Sequence, residues 1–390
     1  MYSQHTPGGR YQVIATLGPA ISDSKLRRAL LAAGATAYRL NTSHLSVQET
    51  VDRLELLDRE LGPRRPPIVL DLQGSKWRLG ATEERVLPEG SLVTLRIETG
   101  GTAGAKSANT RSPESEEPTR TADGSQDNPI LPVPHPDFFA AARTGVGIVR
   151  LNDNKVELEI VDSTPELLTC RVRRGGPVAS RKGITLPGVT FRREGLLPKD
   201  SRIITETCGH HAVAYALSYV RDAEEMALFR RAVAAAVGGA EVSGYRERDA
   251  GGHDAGGSAG RRGDGNSLPR LIAKLERPEA MAAAVEIGAR ADEIWVCRGD
   301  LGTEVGATEM ARLVHRFYGI IPRLRVPAVM AGQVLEHMTD CPEPTRSEVC
   351  HLHDLLAGGF DGVVLSDEVA VGSHPVAACR TAAQFFELPG

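Results

Sequence analysis

Two short apolar runs in the second half of the sequence each end in charged residues whose types suit phosphoryl chemistry. Lys274 and Glu276 close one run and, two positions apart, would point to the same face of a strand. Asp300 lies just beyond the next run. Carboxylates are hard oxygen ligands for a divalent cation, and a lysine supplies a point charge for phosphoryl oxygens. A surface cluster of ion pairs at strand ends would use the same residue types, so that alternative stays open.

The composition is that of a globular protein without a strong charge bias. The 390 residues are 41% hydrophobic and 25% charged, and the formal net charge is −4. This charge gives no long-range attraction to nucleic acid or to an anionic membrane, so we expect neither as a partner. The six cysteines are scattered without a CxxC pair, which favours a reducing compartment over a disulfide framework or a zinc site. No signal peptide or membrane-spanning run is visible, and we expect a cytoplasmic protein.

Short apolar, β-branched runs alternate with amphipathic segments along most of the chain. Eight such runs match the count of a TIM (β/α)8 barrel, an α/β fold, while a doubly wound sheet is the structural alternative. The predicted strands cover residues 12–17, 37–40, 67–72, 212–217, 271–274, 293–296, 327–331 and 362–365. The helix-like segments include residues 24–33, 46–61, 223–236, 278–290, 345–356 and 374–388.

The alternation of strands and helices stops after the third predicted strand. There the sequence becomes strand-rich, and the turn Asn152-Asp-Asn154 is a strong hairpin signal. We therefore predict a barrel domain formed by residues 1–80 and 198–390, with an inserted all-β, β-barrel-like lid domain at 81–197. Its candidate strands cover residues 85–95, 147–151, 155–160 and 167–173.

Two tracts of low complexity interrupt the pattern. Residues 98–128 are rich in Gly, Ser, Thr and charge, and residues 238–266 contain long glycine-rich stretches. Neither tract has enough apolar side chains to order itself by burial. We expect both to be flexible surface loops rather than binding elements.

Polar residues follow the predicted barrel strands, at the end where TIM barrels carry their catalytic groups. Arginines and lysines there suit phosphate, and carboxylates suit Mg²⁺, so the set as a whole indicates phosphoryl transfer. In chain order the set comprises Thr16, Pro19, Arg39, Asn41, Ser43, Asp71, Lys76, Arg78, Ser218, Lys274, Glu276, Arg298, Asp300, Gln333, Ser366, Asp367 and Glu368.

An ordered series of short strings resembles the pyruvate kinase family. The resemblance runs from about Val13 to about Arg380, outside the two low-complexity tracts. It implies a phosphotransferase that converts phosphoenolpyruvate and ADP to pyruvate and ATP with Mg²⁺ or Mn²⁺, the last step of glycolysis. The matching strings include Ile14-Ala-Thr-Leu-Gly-Pro-Ala20, Arg39-Leu-Asn-Thr-Ser-His44, Ile272-Ala-Lys-Leu-Glu276, Cys297-Arg-Gly-Asp-Leu-Gly302 and Pro344-Thr-Arg-Ser-Glu348.

The resemblance implies a role for each residue that matches a family motif. Lys274 and Arg39 match catalytic positions beside the phosphoryl group, and Glu276 and Asp300 match the Mg²⁺ ligands. The inserted domain stands where the family has its mobile lid. The positions that match substrate-binding residues are Lys274, Gly299, Asp300, Ser218 and Gly332. The positions that match nucleotide-binding residues are Thr16, Pro19, Asn41, Arg78 and Lys182.

A further set of residues matches the region of the family's monovalent-cation site. Its members here are Asn41, Ser43, Asp71, Leu72 and Lys76. The residues after the third strand resemble the potassium-independent members, in which a lysine ammonium supplies the charge of the ion. We therefore expect that potassium is not required, with Lys76 in that role.

Several departures from the family pattern leave a second hypothesis open. Gly332 stands where the family usually has threonine, whose hydroxyl lies near the enolate face that takes up a proton. Asp367 and Val369 replace a glycine and a threonine. The sequence ends at Gly390, so we expect the family's C-terminal regulatory domain to be absent, while a homo-oligomer through the barrel stays compatible with the resemblance. The alternative function is a non-catalytic relative that binds phosphoenolpyruvate or nucleotide as a sensor.

Overall fold

The computed structural model describes residues 11–63, 65–74, 76–98, 128–142, 147–152, 154–189, 196–237 and 268–385. The chain divides into two compact units, Met1–Ser75 with Phe191–Gly390, and Lys76–Thr190. The second unit is therefore an insertion in the chain of the first. Residues 99–127 and 238–267, which include most of the predicted low-complexity tracts, lie outside the described residues, as does Asp153 of the predicted hairpin.

Eight parallel strands of the first unit close into a barrel, which confirms the predicted fold class and excludes the doubly wound alternative. In the described residues the strands are β1 (Gln12–Thr16), β2 (Ala37–Asn41), β3 (Ile68–Asp71), β4 (Arg85–Leu87), β5 (Leu92–Ile97), β6 (Ile130–Val133), β7 (Ile148–Leu151), β8 (Val156–Ser163), β9 (Leu167–Arg174), β10 (Gly176–Val178), β11 (Ile184–Thr185), β12 (Val213–Leu217), β13 (Arg270–Leu275), β14 (Glu293–Cys297), β15 (Ala328–Ala331) and β16 (Gly362–Leu365). The barrel order is β1-β2-β3-β12-β13-β14-β15-β16, and β16 pairs back to β1.

The helices of the first unit follow the barrel strands. Two of them begin with a capping box, in which Ser46 with Glu49 and Thr345 with Glu348 satisfy the first backbone amides. The predicted helix at 278–290 is instead two short helices, α6 (Pro278–Ala282) and α7 (Ala284–Gly288). The described helices are α1 (Ser24–Ala32), α2 (Val47–Leu61), α3 (Pro136–Ala142), α4 (Pro198–Thr207), α5 (Ala223–Ala236), α6 (Pro278–Ala282), α7 (Ala284–Gly288), α8 (Arg298–Val305), α9 (Ala307–Tyr318), α10 (Arg346–Ala357), α11 (Asp367–Ala370) and α12 (Pro375–Gln384).

Buried side chains of the barrel strands fall into two clusters, because successive residues of a strand point to opposite faces. The smaller cluster takes residues from all eight barrel strands, with Trp295 as its largest member and several alanines around it. The larger cluster combines the opposite strand face with the helices. Among the described helices, none has the combination of length and apolar character needed to cross a bilayer.

The second unit contains a six-stranded sheet in the order β11-β7-β8-β9-β5-β6 and a two-stranded sheet of β4 and β10. The predicted hairpin joins β7 to β8, and Asn152 and Asn154 on either side of its tip have positive φ angles of 51° and 64°. Asparagine tolerates this conformation better than most residues, which explains the turn. The predicted strand at 85–95 is two strands, β4 and β5. The unit also contains a helix, α3, that the strand-rich sequence did not predict.

Candidate active site

Lys274, near the end of β13, lies at the centre of a buried polar network at the C-terminal end of the barrel. Its ammonium is 2.9 Å from Oδ1 of Asp71 and 2.8 Å from Oε1 of Glu276. It also donates a 2.8 Å hydrogen bond to Oγ of Ser218, whose hydroxyl donates in turn to the carbonyl of Leu72 at 2.7 Å. The network thus joins residues that follow β3, β12 and β13, and it fixes the ammonium from three directions.

Arg39 on β2 enters the same network through Asp71. Its Nη2 and Nε atoms lie 2.6 and 2.8 Å from Oδ2 of Asp71, and Nη1 donates to Oγ1 of Thr16 at 3.0 Å. The carboxylate of Asp71 therefore has one oxygen directed to Arg39 and the other to Lys274. Two cationic side chains are held side by side by a single buried anion.

Burial and charge pairing oppose one another at this network. Burial would raise the pKa of Asp71, but Lys274 and Arg39 outweigh it and hold that pKa below its usual range. Burial disfavours the charged form of Lys274, yet the carboxylates of Asp71 and Glu276 more than compensate and raise its pKa. Lys274 is therefore a fixed positive charge at neutral pH, in a place where solvent screens it weakly.

The two candidate metal ligands, Glu276 and Asp300, are both held by Tyr219. The backbone amide of Tyr219 donates to Oε2 of Glu276, and its phenol donates to Oδ1 of Asp300, each at 2.7 Å. Burial raises the pKa of Glu276; Lys274 opposes that rise and the Asp300 carboxylate adds to it. Two carboxylates that repel one another in this way are a suitable donor set for a divalent cation.

The described residues contain no group of three or more His, Cys, Asp or Glu side chains arranged to hold a metal ion. A pair of carboxylates is nevertheless typical of Mg²⁺, which keeps several waters and completes its coordination with substrate oxygens. Glu276 is fully buried and Asp300, in the first turn of α8, is half-buried. The pair therefore fits a hard cation that is shared with a phosphorylated substrate.

A further buried carboxylate, that of Asp200, orders the loop after β3, and the sequence alone did not indicate it. Asp200 on α4 is buried, and its oxygens accept hydrogen bonds from the amides of Gln73 at 3.2 Å and Gly74 at 3.0 Å. Burial raises the pKa of Asp200 above its ordinary value, although the two amides partly oppose this rise. The neighbouring Lys199 donates to the carbonyl of Thr42 at 2.7 Å. Two successive residues of α4 thus tie together the loops that follow β2 and β3.

Gly332, at the end of β15, adopts a left-handed backbone conformation with φ of 86°. A Cβ atom built there would lie 3.6 Å from the amide nitrogen of Gly299, an ordinary contact, so these two predicted substrate positions are neighbours. The carbonyl of Gly332 accepts hydrogen bonds from Nε and Nη2 of Arg298 at 3.1 and 2.7 Å. Nη1 of Arg298 lies 2.7 Å from Nε2 of His351, so Arg298 cross-links the loop after β15 to α10.

The remaining predicted positions fall in three places. Asn41 ends β2 and Ser43 follows two residues later, where Oδ1 of Asn41 accepts from the amide of Ser43 at 3.1 Å. Pro19 borders a cavity of about 290 Å³ beside the loop after β1. This cavity is lined by Leu17, Gly18, Pro19, Ile21, Ser22, Arg27, Leu40, Arg53, Leu56 and Leu57.

The other three positions, Lys76, Arg78 and Lys182, belong to the second unit. Arg78 forms an antiparallel bridge with Gly183 and donates from Nη1 to the carbonyl of Arg181 at 2.9 Å. The side chain of Lys76 is buried against Gly183, where a Cβ atom would overlap it. The second unit therefore brings these three cationic residues together on neighbouring segments of chain.

Comparison with known proteins matches most of the chain to one family. The model of the pyruvate kinase barrel domain matches residues 9–243 and 262–379. The chain belongs to the pyruvate kinase family. A pyruvate kinase of Methylorubrum extorquens is 30% identical over 376 residues, which is 95% of this chain and 67% of that protein. One of Agrobacterium vitis is 30% identical over 381 residues, 97% of this chain and 69% of that protein.

A third relative is the pyruvate kinase 2 of a Synechocystis species, 29% identical over 383 residues, or 97% of this chain. This chain covers only 56% of the length of that protein. These relatives make the chain a pyruvate kinase-like phosphotransferase. The network around Lys274 provides a fixed positive charge of the kind that suits phosphoryl transfer.

Proposed function

We propose that this chain transfers the phosphoryl group of phosphoenolpyruvate to ADP, giving pyruvate and ATP, with Mg²⁺ at the barrel mouth. The observation that carries the proposal is the Lys274 ammonium, held 2.9 Å from Asp71 and 2.8 Å from Glu276 and kept charged by both. A loose phosphoryl-transfer transition state spreads negative charge over its equatorial oxygens. A preorganised, buried cation stabilises that charge without reorganising at the moment of reaction.

Glu276 and Asp300 would hold the divalent cation. When bound, Mg²⁺ would neutralise charge on the phosphate and carboxylate oxygens of the substrate. The residues of the chain do the positioning: Ser218 and Asp71 orient Lys274, and Asp71 also orients the guanidinium of Arg39. Arg39 and Lys274 would then contact the phosphoryl oxygens from two sides, which aligns the group for in-line transfer.

In the reaction, the bond between phosphorus and the enol oxygen breaks and a bond to the terminal phosphate oxygen of ADP forms. The enolate left behind takes up a proton at carbon and becomes pyruvate. The family usually has a threonine near that proton, and here Gly332 stands in its place. Because Gly332 has no hydroxyl, a water molecule would donate this proton, and it can occupy the space that the threonine side chain would fill.

The nucleotide is proposed to lie on the side of the mouth where Thr16 and Pro19 follow β1. The cavity of about 290 Å³ beside Pro19 has mostly apolar walls, a lining suited to a planar base, and the exposed Arg53 borders it. Asn41, the last residue of β2, caps the short helical turn at Thr42–His44.

A coupled assay of pyruvate formation tests this function. We expect turnover that requires phosphoenolpyruvate, ADP and a divalent cation together. Lys274→Met should lower turnover by at least about 100-fold, because a preorganised charge at the transferring group is removed. Lys25→Met is the matched control, since Lys25 is exposed on α1, and it should leave turnover unchanged. Binding of phosphoenolpyruvate without any pyruvate formation would favour the non-catalytic relative instead.

A further inference from the structure

Tyr219 lies two residues beyond β12 and holds both candidate metal ligands. Its amide N–H donates to Oε2 of Glu276 and its phenolic O–H donates to Oδ1 of Asp300, each at 2.7 Å. Glu276 comes from the end of β13 and Asp300 from the first turn of α8, so neither segment fixes the other locally. A single residue between them therefore sets the relative orientation of the two carboxylates.

The conformation of Tyr219 is unusual for a bulky residue. Its φ angle is 61°, in the left-handed region that residues other than glycine and asparagine rarely adopt. This backbone turn directs the amide of the residue toward Glu276. Backbone strain of this kind persists where the surroundings hold it, and it occurs often at functional sites. Neither hydrogen bond could be read from the sequence, because both depend on this turn.

The aromatic ring of Tyr219 is itself held in place. The guanidinium carbon of Arg277 lies 5.4 Å from the ring centroid, within the range of a cation–π contact. Tyr219 is only 9% exposed. The phenol therefore reaches Asp300 from a fixed ring, and the Asp300 carboxylate, which is half-buried, loses rotational freedom through it.

We propose that Tyr219 is a positioning residue for the divalent cation, which holds the Glu276 and Asp300 carboxylates in the orientation that the cation requires. The inference rests on the metal site of the proposed function. Tyr219 would act on the cation only through these carboxylates. Groups that orient metal ligands in this way typically contribute about 10–100-fold to metal affinity.

The test is direct binding of Mn²⁺ to the whole chain, measured from the electron paramagnetic resonance signal of the free ion. Tyr219→Phe removes the phenolic oxygen but keeps the ring, the amide and the backbone turn. We expect the Kd for Mn²⁺ to rise about tenfold or more, because Asp300 loses its orienting hydrogen bond. The Mg²⁺ concentration for half-maximal pyruvate formation should rise by a similar factor, while the KM for ADP stays unchanged.

Tyr215→Phe is the matched control. Tyr215 is also on β12 and fully buried, and its phenol bonds to Oγ1 of Thr207 at 2.8 Å, away from the carboxylates. This variant should lose stability without a change in the Kd for Mn²⁺. Mn²⁺ should also produce a tyrosine ultraviolet difference spectrum that is present in the wild-type protein and in Tyr215→Phe, and absent in Tyr219→Phe.

The outcomes separate this inference from the function on which it rests. An unchanged Kd for Mn²⁺ in Tyr219→Phe, with clear binding by the wild-type protein, would overturn the positioning role alone. No Mn²⁺ binding by the wild-type protein, with or without phosphoenolpyruvate, would overturn the metal site and the positioning role together. A Kd that rises equally in both tyrosine variants would also overturn the role, because it would report a general loss of stability.

Discussion

The Lys274 ammonium lies 2.9 Å from Oδ1 of Asp71, with the lysine side chain 10% exposed and the aspartate side chain 3% exposed. The other oxygen of the same carboxylate forms an ion pair with the guanidinium of Arg39. One buried anion thus compensates two buried cations that come from strands far apart in sequence. The stability of the barrel mouth and its proposed chemistry depend on the same carboxylate.

Asp71→Asn should therefore destabilise the protein strongly. Removal of one partner from a buried ion pair typically costs about 3–5 kcal/mol, because the other charge is left uncompensated. Urea unfolding measures this loss. The double variant Arg39→Met with Asp71→Asn should be less destabilised than Asp71→Asn alone, since one cation leaves with the anion. A single variant within about 0.5 kcal/mol of wild type would contradict the buried pairing.

The left-handed backbone at Gly332 predicts opposite effects of a threonine on stability and on chemistry. Gly332→Thr and Gly332→Ala should each lower the free energy of unfolding by about 1–3 kcal/mol, because φ of 86° disfavours any Cβ atom. The threonine variant should nevertheless form pyruvate faster than the alanine variant, because its hydroxyl supplies a placed hydrogen bond near the enolate.

The two variants share the strain and differ in the hydroxyl, so their comparison isolates the chemical effect. Pyruvate formation and deuterium uptake from solvent into the methyl group of pyruvate are the measurements. Equal rates in both variants would show that no side chain at this position takes part in proton uptake.

The role proposed for Lys76 predicts a potassium requirement when its ammonium is moved. Lys76→Met should lose turnover in a buffer whose only monovalent cation is bulky and organic, and potassium should restore part of it. Gly183→Ala should do the same more mildly, because its methyl group would overlap Cε of Lys76 and displace that flexible side chain. Gly147→Ala is the control, since no atom of the described residues lies within 4 Å of its added methyl group. Potassium-dependent turnover of the wild-type protein would exclude the role.

The carboxylate of Asp58 on α2 predicts part of the acid dependence of stability. It pairs with Nε of Arg65, whose side chain is fully buried, and with Nδ1 of His210 at 2.9 Å. Burial would raise the pKa of Asp58, but these two partners lower it overall. A lowered folded-state pKa gives stability that is present above the ordinary carboxyl pKa and is lost as pH falls through the lowered value.

The free energy of unfolding of the wild-type protein should consequently fall below about pH 4, and this fall should be shallower in Asp58→Asn. At neutral pH this variant should be less stable by about 1–3 kcal/mol, because buried Arg65 loses a charged partner. Asp52→Asn, on the exposed face of the same helix, is the control for the loss of a carboxylate. Parallel pH profiles for Asp58→Asn and the wild-type protein would contradict the assignment.

The barrel could be predicted from sequence because its strands are continuous apolar runs, buried on both faces, between amphipathic segments. The charged residues after β2, β3 and β13 could be predicted for the same reason, since a barrel places all strand ends at one mouth. The contacts could not be predicted. That Asp71 pairs with both Arg39 and Lys274 depends on side-chain directions that only the closed barrel defines.

The roles of Tyr219 and Asp200 were missed because they depend on tertiary geometry. Tyr219 looks like one more apolar residue after a strand until its φ of 61° is known. Asp200 lies in a helix outside the mouth, and only the approach of the Gly74 amide to 3.0 Å shows its use. Arg298 follows β14, as the sequence predicts, but its side chain bonds to carbonyls of the loop after β15 and to His351, which the sequence does not show.

The pairing of β1 with β16 has a consequence for synthesis on the ribosome. The inserted unit is one uninterrupted stretch of chain, Lys76–Thr190, so it can fold as soon as it has left the exit tunnel. β1, β2 and β3 emerge before it, when the strands that pair with β1 and β3, namely β16 and β12, have not yet been translated. Their two unpaired edges are open to aggregation or to chaperones during that time. The barrel closes only when the last strand has been translated. A ligand that requires Arg39, Asp71 and Lys274 together would therefore bind no nascent chain that ends before β13.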